Sequence, residues 1–231
     1  MTTLPLPMPM SRPAGLRPLL KRAFPKLALY RRVLRVLVDD ESSYLHQTGW
    51  LRSLAEQRPV DAHGNPLPWM NYSVVRFLQE RLHGELDLFE YGSGFSTGFY
   101  AERVRSVVSV EYDPGWVAQL RPTLAANVEL IEQPQDIDGD YCRTILRTGR
   151  RFDVVVVDGR DRVHCVEQAF RCLSERGVVL LDDSQRERYR PAFELAVAQG
   201  FAMLSFEGLK PTGQEIDRTT LFYRLGNCLG L

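Results

Sequence analysis

The chain has 231 residues, of which 44% are hydrophobic and 25% are charged, so wholesale disorder is excluded. Glycine and proline are near average usage, which excludes collagen-like and low-complexity chains. No apolar run reaches the roughly 18 residues of a membrane-spanning helix, and the N-terminus lacks the pattern of a secretory signal. The four cysteines show no close-spaced metal pair, so we expect reduced thiols and a cytoplasmic location.

The formal net charge is zero, but the charges are distributed unevenly. Residues 1–38 contain eight Lys or Arg and no acid, so the remainder has a net charge of −8. Such a basic arm could bind an anionic membrane surface or a nucleic acid. We favour the simpler interpretation, in which the apolar side chains of the arm dock on the body and its charges stay solvated.

The N-terminal third predicts helices and loops. Proline is concentrated in the first 25 residues, where we expect irregular structure, and a helix is predicted from Pro25 onward. A second helical stretch is predicted over 43–57, and a loop with Gly and Pro over 58–70. Asn71 is the predicted N-cap of the next helix. We therefore interpret residues 1–70 as a basic arm and helical cap, and residues 71–231 as the main domain.

From Leu86 onward, strand and helix patterns alternate. Strands are predicted at Leu86–Tyr91, Ser106–Glu111, Asn127–Ile131, Phe152–Asp158, Gly177–Asp182, Phe201–Phe206 and Thr219–Tyr223. Helices are predicted between the first six, near Ser96–Val104, Pro114–Ala125, Tyr141–Arg147, Arg162–Leu173 and Tyr189–Gln199. This alternation predicts a doubly wound α/β domain with a mostly parallel, seven-stranded sheet. The last connection has no helical pattern, so the final strand is predicted to be antiparallel.

A glycine-containing turn follows the first predicted strand and opens a helix. Its sequence, Glu90–Thr97, reads EYGSGFST, and its glycines allow a tight turn and the close approach of a ligand. Glu111 ends the next strand, 19 residues after Gly92, where an acid can accept hydrogen bonds from both hydroxyls of a ribose. An NAD site would normally have an apolar residue in place of Glu90 and a third glycine in place of Thr97. A cationic, ribose-bearing ligand is therefore favoured over NAD.

On these residues the sequence resembles the class I S-adenosylmethionine-dependent methyltransferases, over about residues 71–231. Within that superfamily it is similar to an uncharacterised bacterial group of small-molecule-methyltransferase-like proteins, through Val157–Arg160 and Leu181–Ser184. The resemblance implies that Glu111 holds the ribose, that Tyr112 lies beside the adenine, and that Asp136 or Asp138 borders the adenine edge. It further implies that the cofactor is bound by residues of this motif and by the acid that ends the fourth predicted strand. These residues are Glu90, Tyr91, Gly92, Gly94, Ser96, Thr97 and Asp158.

Acidic residues end the fourth and fifth predicted strands. Asp158 ends the fourth, and Asp182 and Asp183 end the fifth, and neighbouring parallel strands converge at one crevice. Three carboxylates there could hold Mg²⁺, as in similar O-methyltransferases, where the metal lowers the pKa of an acceptor hydroxyl. The alternatives are that Asp158 contacts cofactor or acceptor without metal, that Asp182 or Asp183 caps a helix, or that an Asp or His164 is the general base.

Four further residues are candidates for contact with the methyl acceptor. Arg160 could clamp a carboxylate or phosphate, His164 comes early in the next helix, and Trp69 and Tyr72 could form an aromatic wall. Each has a structural alternative. Arg160 could belong to a solvated charge cluster, His164 could be structural, and Trp69 and Tyr72 could pack the N-terminal helices onto the sheet.

The leading hypothesis is methyl transfer from S-adenosylmethionine to a small molecule, with a hydroxyl as the favoured acceptor group. The alternatives are an NAD-linked oxidoreductase, and a non-catalytic module that uses the basic arm on a membrane or nucleic acid. Nucleic-acid methylation is disfavoured because the main domain is acidic.

Overall fold

A computed structural model describes residues 25–231. The described residues divide into two units, 25–46 and Gln47–Leu231, and the segment 47–70 belongs to the larger unit. The irregular segment predicted at the extreme N-terminus, with Arg12, Arg17, Lys21 and Arg22, lies outside the described residues. Within residues 25–231, no helix is long and apolar enough to cross a membrane.

The helix predicted from Pro25 is present as α1, Pro25–Leu34, and continues as a π-helical turn over Arg35–Asp39. None of its residues is buried. The stretch predicted as one helix over 43–57 is instead two, α2 (Tyr44–Gln47) and α3 (Trp50–Glu56). Gly49 separates them, because its φ of +80° is left-handed and a Cβ there would lie 2.3 Å from the carbonyl carbon of Asp61.

The larger unit is built on one seven-stranded sheet, as predicted. Its strands are β1 (Asp87–Tyr91), β2 (Ser106–Glu111), β3 (Val128–Glu132), β4 (Phe152–Val157), β5 (Leu173–Leu181), β6 (Ala202–Gly208) and β7 (Asp217–Tyr223). Their order in space is β3-β2-β1-β4-β5-β7-β6. β1 to β5 pair in parallel, and β7 is antiparallel to both β5 and β6, which confirms the doubly wound fold and the antiparallel last strand.

Helices connect the strands at the predicted places. They are α4 (Tyr72–Arg81), α5 (Phe95–Ala101), α6 (Pro114–Leu120), α7 (Asp140–Arg147), α8 (Arg162–Cys172) and α9 (Arg190–Ala198). Asn71 is the N-cap of α4, as predicted, and its Oδ1 accepts from the Val74 N–H at 3.0 Å. Its Nδ2 also donates to the Phe206 carbonyl, so the cap fastens α4 to the edge of the sheet.

Alternating residues of the strands supply two apolar cores, one on each face of the sheet. Val155 and Val157 pack in one core, and Val154 and Val156 pack in the other, all fully buried. Full burial of such a side chain contributes about 1.5–3 kcal/mol, so these runs hold the sheet rigid. The carboxyl ends of the strands, where the predicted site residues lie, are thereby fixed in position.

Candidate active site

A pocket of about 420 Å³ opens at the carboxyl ends of β1, β2 and β4. Ligands bind at this edge of the sheet in open α/β folds. The lining residues come from the segment before α4 and from the turns that follow the three strands, and they are Pro59, Trp69, Gly92, Ser93, Gly94, Phe95, Ser96, Glu111, Tyr112, Trp116, Asp158, Gly159, Arg160 and Arg162.

Two glycines bring the turns after β1 and β4 into backbone contact. Gly92 has a φ of +95°, and a Cβ on it would lie 2.9 Å from the Gly159 Cα. A Cβ on Gly159 would in turn lie 2.1 Å from the Tyr141 hydroxyl oxygen. No side chain fits at either position, so the floor of the pocket is bare backbone that a ligand can approach closely.

Glu90 lies beneath the glycine turn and not among the residues that line the pocket. Its carboxylate is fully buried, with Oε2 accepting from the Thr97 and Ser109 hydroxyls at 2.6 and 2.7 Å, and Oε1 accepting from the Ser96 hydroxyl. Burial raises the pKa of Glu90 to about 7, although these three hydroxyls oppose the shift. Glu90 therefore organises the start of α5 through the Ser96 and Thr97 hydroxyls.

Glu111, the last residue of β2, lines the pocket as an oriented carboxylate. Its Oε1 accepts from the N–H groups of Tyr112 and Asp113 at 2.9 and 3.0 Å, and its Oε2 accepts from the Ser93 N–H at 3.1 Å. The two N–H groups on Oε1 use both of its lone pairs, whereas Oε2 keeps acceptor capacity for a ligand hydroxyl. Because backbone groups fix the carboxylate, it needs no reorganisation to accept a hydrogen bond from a ligand.

Aromatic side chains flank Glu111 in the pocket. The Tyr112 hydroxyl accepts from Arg160 Nη2 at 2.7 Å, and the guanidinium lies 5.0 Å from the ring centroid. Trp116 packs against Phe95 with centroids 6.2 Å apart, and its indole N–H donates to the Ser93 carbonyl at 2.9 Å. Flat rings held in this way offer stacking surfaces for a planar base.

The three predicted acids converge after β4 and β5. Asp158, Asp182 and Asp183 each place a carboxylate oxygen within 4.8 Å of the others. Asp158 lines the pocket with about a quarter of its side chain exposed, whereas Asp182 and Asp183 are buried behind it. The Thr219 hydroxyl donates to Asp182 Oδ1 at 2.6 Å.

Basic side chains of the chain itself compensate this cluster. Arg162 Nη2 lies 2.8 Å from Asp158 Oδ1, and Arg162 Nη1 lies 3.4 Å from Asp183 Oδ2. Lys210 Nζ and Arg186 Nη2 bind the two oxygens of Asp183 at 2.9 and 2.7 Å. The Arg162 guanidinium lies within 4 Å of all three carboxylates, where a divalent cation would have to bind, and its positive charge would repel one. The residues present do not fit the Mg²⁺ site that the sequence suggested.

Burial and mutual repulsion separate the acids by pKa. Burial raises the pKa of Asp158, and Arg162 opposes that shift. Burial and the neighbouring Asp158 charge raise the pKa of Asp182 well above its usual value. The Lys210, Arg162 and Arg186 charges hold the pKa of Asp183 below its usual value despite burial. The carboxylate available to the pocket is therefore that of Asp158.

The remaining predicted site residues lie apart from the pocket or at its rim. Tyr91 is buried and donates to the Cys142 carbonyl at 2.6 Å, and Tyr72 belongs to the core under α4. Asp136 caps α7 by accepting from the N–H groups of its first residues at 2.7 and 3.0 Å. His164 Nδ1 pairs with Asp161 Oδ1 at 2.7 Å, which raises the pKa of the imidazole. Trp69 does line the pocket, and its indole N–H donates to the Pro211 carbonyl at 2.8 Å.

Sequence reasoning missed several residues of this site. Trp116 follows the helix-capping Asp113 by three residues, and its ring reaches Ser93 and Phe95 after β1, a contact that no local pattern indicates. Arg162 begins a predicted helix, and only the side-chain geometry reveals that its guanidinium turns inward. Lys210 lies 27 residues after Asp183 in a connection without a periodic pattern, so no local signal pointed to it.

No family model matches the chain, and no curated protein matches it in sequence. Solved structures do match its fold. A Klebsiella pneumoniae protein with the provisional name O-methyltransferase is 18% identical with a TM-score of 0.52, covering 85% of this chain and 96% of that one. Precorrin-8w decarboxylase from Methanobacterium thermoautotrophicum is 17% identical with a TM-score of 0.51, covering 74% of this chain and 98% of that one.

The strand order and these likenesses define the class of fold. The chain has the Rossmann-like fold of the class I S-adenosylmethionine-dependent methyltransferases, and the resemblance stated from the sequence is confirmed at the level of the fold. In this protein, the buried side chain of Arg162 contacts the three acids that follow β4 and β5 of that sheet.

Proposed function

We propose that the chain is a methyltransferase that binds S-adenosylmethionine in this pocket and methylates a hydroxyl of a small-molecule acceptor. The observation that carries the proposal is the Glu111 carboxylate, which three backbone N–H groups orient beside the glycine turn. Glu111 would hold the ribose, Tyr112 and Trp116 would flank the adenine, and Gly92 and Gly94 would admit the methionine portion. When bound, the cofactor supplies a methyl group activated by the sulfonium charge.

The backbone around the glycine turn favours this ligand over NAD. A dinucleotide site leaves N–H groups of such a turn free for a pyrophosphate. Here the Ser93 N–H donates to Glu111 and the Gly94 N–H donates to Thr97 Oγ1 at 2.9 Å, so both are already used. The carboxylates of Glu111 and Asp158, which line the pocket, repel a pyrophosphate and attract a sulfonium.

Asp158 is the group we propose to act on the acceptor. It lines the pocket, and its raised pKa lies closer to neutrality, as suits a general base. Asp158 would accept the hydroxyl proton while the fixed walls align the acceptor with the methyl group and exclude water. Trp69 and Arg160 are the candidate acceptor contacts, since both line the pocket and Arg160 retains donors beyond its bond to Tyr112.

A second, separate proposal concerns the basic arm. No residue of α1 is buried, and Arg31 and Arg32 lie in its last turn. A helix with exposed apolar and basic side chains suits peripheral contact with an anionic lipid surface. Flotation of the full chain with vesicles containing phosphatidylserine tests it, and we expect Arg31→Glu with Arg32→Glu to abolish co-flotation. Absence of wild-type flotation contradicts this proposal and leaves methyl transfer unaffected.

The test of the main proposal is calorimetric titration of the full chain with S-adenosylhomocysteine, NAD and NADH. We expect saturable one-site binding of S-adenosylhomocysteine and none of the two dinucleotides. Binding of NAD would overturn the assignment, and an absence of binding by all three would favour a non-catalytic module. A positive result leads to an acceptor screen that follows methyl transfer from labelled S-adenosylmethionine.

A further inference from the structure

Arg162 holds the ends of two strands together through a buried guanidinium. It is the first residue of α8, and its side chain is only 9% exposed. Nε donates to the Gly159 carbonyl at 3.0 Å, and Nη1 donates to the Asp182 carbonyl at 2.6 Å. Nη2 donates to the carbonyl of Asp158 at 2.9 Å and to its Oδ1 at 2.8 Å. Each nitrogen therefore has a fixed partner after β4 or β5.

The same guanidinium is within 4 Å of all three acids. Its shortest distances to the carboxylates of Asp158, Asp183 and Asp182 are 2.8, 3.4 and 3.9 Å. The Tyr189 ring lies on it, with the guanidinium carbon 5.6 Å from the centroid. Buried carboxylates this close together are stable only with a compensating cation, and the central one is the guanidinium.

We propose that the Arg162 guanidinium stands where a divalent cation would otherwise bind, and that it makes this acidic cluster independent of metal. Arg162 is then a positioning residue. It fixes the Asp158 carboxylate toward the pocket and keeps positive charge beside it at every metal concentration. The role of Asp158 in catalysis rests on the proposed function, whereas the replacement of the metal by arginine does not.

The proposal predicts a cation site that appears when the arginine is shortened. In Arg162→Ala the three carboxylates lose the central positive charge, while the pairing of Val157 with Leu181 still holds the ends of β4 and β5 side by side. Oxygen ligands within 4.8 Å of one another then match what a hard divalent cation prefers. The variant should therefore bind Mn²⁺, whereas the wild-type chain should not.

The experiment measures Mn²⁺ binding by electron paramagnetic resonance, with thermal melting as a second readout. We expect no bound Mn²⁺ in the wild type at concentrations up to about 1 mM, and one bound ion with a raised melting temperature in Arg162→Ala. The matched control is Arg186→Ala, which removes a half-exposed partner of Asp183 but leaves Arg162 in place. It should not bind Mn²⁺. A merely structural role for Arg162 would lower stability without creating a metal site.

Two outcomes would overturn the proposal. One is stoichiometric binding of Mn²⁺ by the wild type, and the other is a folded Arg162→Ala variant that stays free of Mn²⁺. Should Arg162→Ala fold only with Mn²⁺ present, the proposal is supported; should it fold under neither condition, the wild-type titration and Arg162→Lys decide. The lysine variant should fold and exclude Mn²⁺. Titration with S-adenosylhomocysteine reports on the proposed function separately, so failures of the two are distinguishable.

Discussion

The acid at the end of β2 and the acids after β4 and β5 lie at the same edge of the sheet, but they are stabilised in different ways. After β2, backbone N–H groups hold the Glu111 carboxylate and leave acceptor capacity on Oε2 for a ligand. After β4 and β5, basic side chains compensate the acids, and Asp158 alone of the three lines the pocket. An acid at a strand end is thus not by itself a ligand site, because its partners decide what it can still bind.

The largest effect is expected at Glu111. Glu111→Ala removes a carboxylate that would accept charge-assisted hydrogen bonds from the ribose, each contributing about 1.5–3 kcal/mol. We expect the affinity for S-adenosylhomocysteine to fall by about 10²-fold to 10⁴-fold, measured by calorimetry. The matched control is Glu132→Ala at the exposed end of the neighbouring strand, which should bind normally. Unchanged binding by a folded Glu111→Ala variant would contradict the ribose assignment.

Asp158→Asn tests the other side of the comparison. The amide keeps the size of the side chain but cannot take a proton, so single-turnover methyl transfer should fall by about 10³-fold. Binding of S-adenosylhomocysteine should change by less than about threefold, which separates chemistry from cofactor binding. Asp140→Asn, at the exposed first residue of α7, is the control. Equal losses of binding and rate would instead place Asp158 in the cofactor site.

Glu90 offers a test of buried charge without direct ligand contact. Its pKa is raised from about 4.5 in the unfolded chain to about 7, so its contribution to stability is full below pH 4.5 and lost as the pH rises through 7. The loss amounts to about 3 kcal/mol at high pH. Glu90→Gln should remove this component, so its stability relative to the wild type should rise between pH 5 and pH 8. Urea unfolding at both pH values measures it, and a constant difference would refute the shift.

Tyr112→Phe should give the smallest effect. The ring remains for the adenine, while Arg160 loses an acceptor at 2.7 Å on the exposed side of the pocket. A half-exposed hydrogen bond contributes about 0.5–1.5 kcal/mol, so the affinity for S-adenosylhomocysteine should weaken by about threefold. Tyr112→Ala should weaken it further, because the stacking surface is lost as well. Equal effects of the two variants would assign the whole contribution to the hydroxyl.

The fold could be predicted because its signals are local. Runs such as Val154–Val157 are apolar on both faces, as a strand between two helical layers must be. The start of α4 at its cap, Asn71, and the positions of the strand ends also follow from nearby residues. The place of Glu111 at the edge of the pocket was predictable for the same reason, since it ends a strand beside the glycine turn.

The role of Glu90 was harder to predict, because it depends on register. Glu90 lies beside Ser109 of β2, which is two residues before Glu111. Glu90 is therefore further from the carboxyl edge of the sheet than Glu111 is. The Ser109 hydroxyl and those of α5 therefore enclose it before a ligand could reach it. The compensation of the acidic cluster could not be predicted, because its basic groups come from three separate segments, at Arg162, Arg186 and Lys210. Spacing in the sequence does not carry that information.

The three tryptophans have an optical consequence. Trp69 and Trp116 both line the pocket, and each indole N–H donates to a backbone carbonyl, so neither ring is free to reorient. Trp50 is held in the same way by the Gly213 carbonyl but does not line the pocket. Ligand contact should therefore alter the fluorescence emission of Trp69 and Trp116, whereas the emission of Trp50 should stay constant. With Trp116→Phe, the change at Trp69 would report occupancy next to Asp158 by colourless compounds, which lets candidate acceptors be screened by light alone.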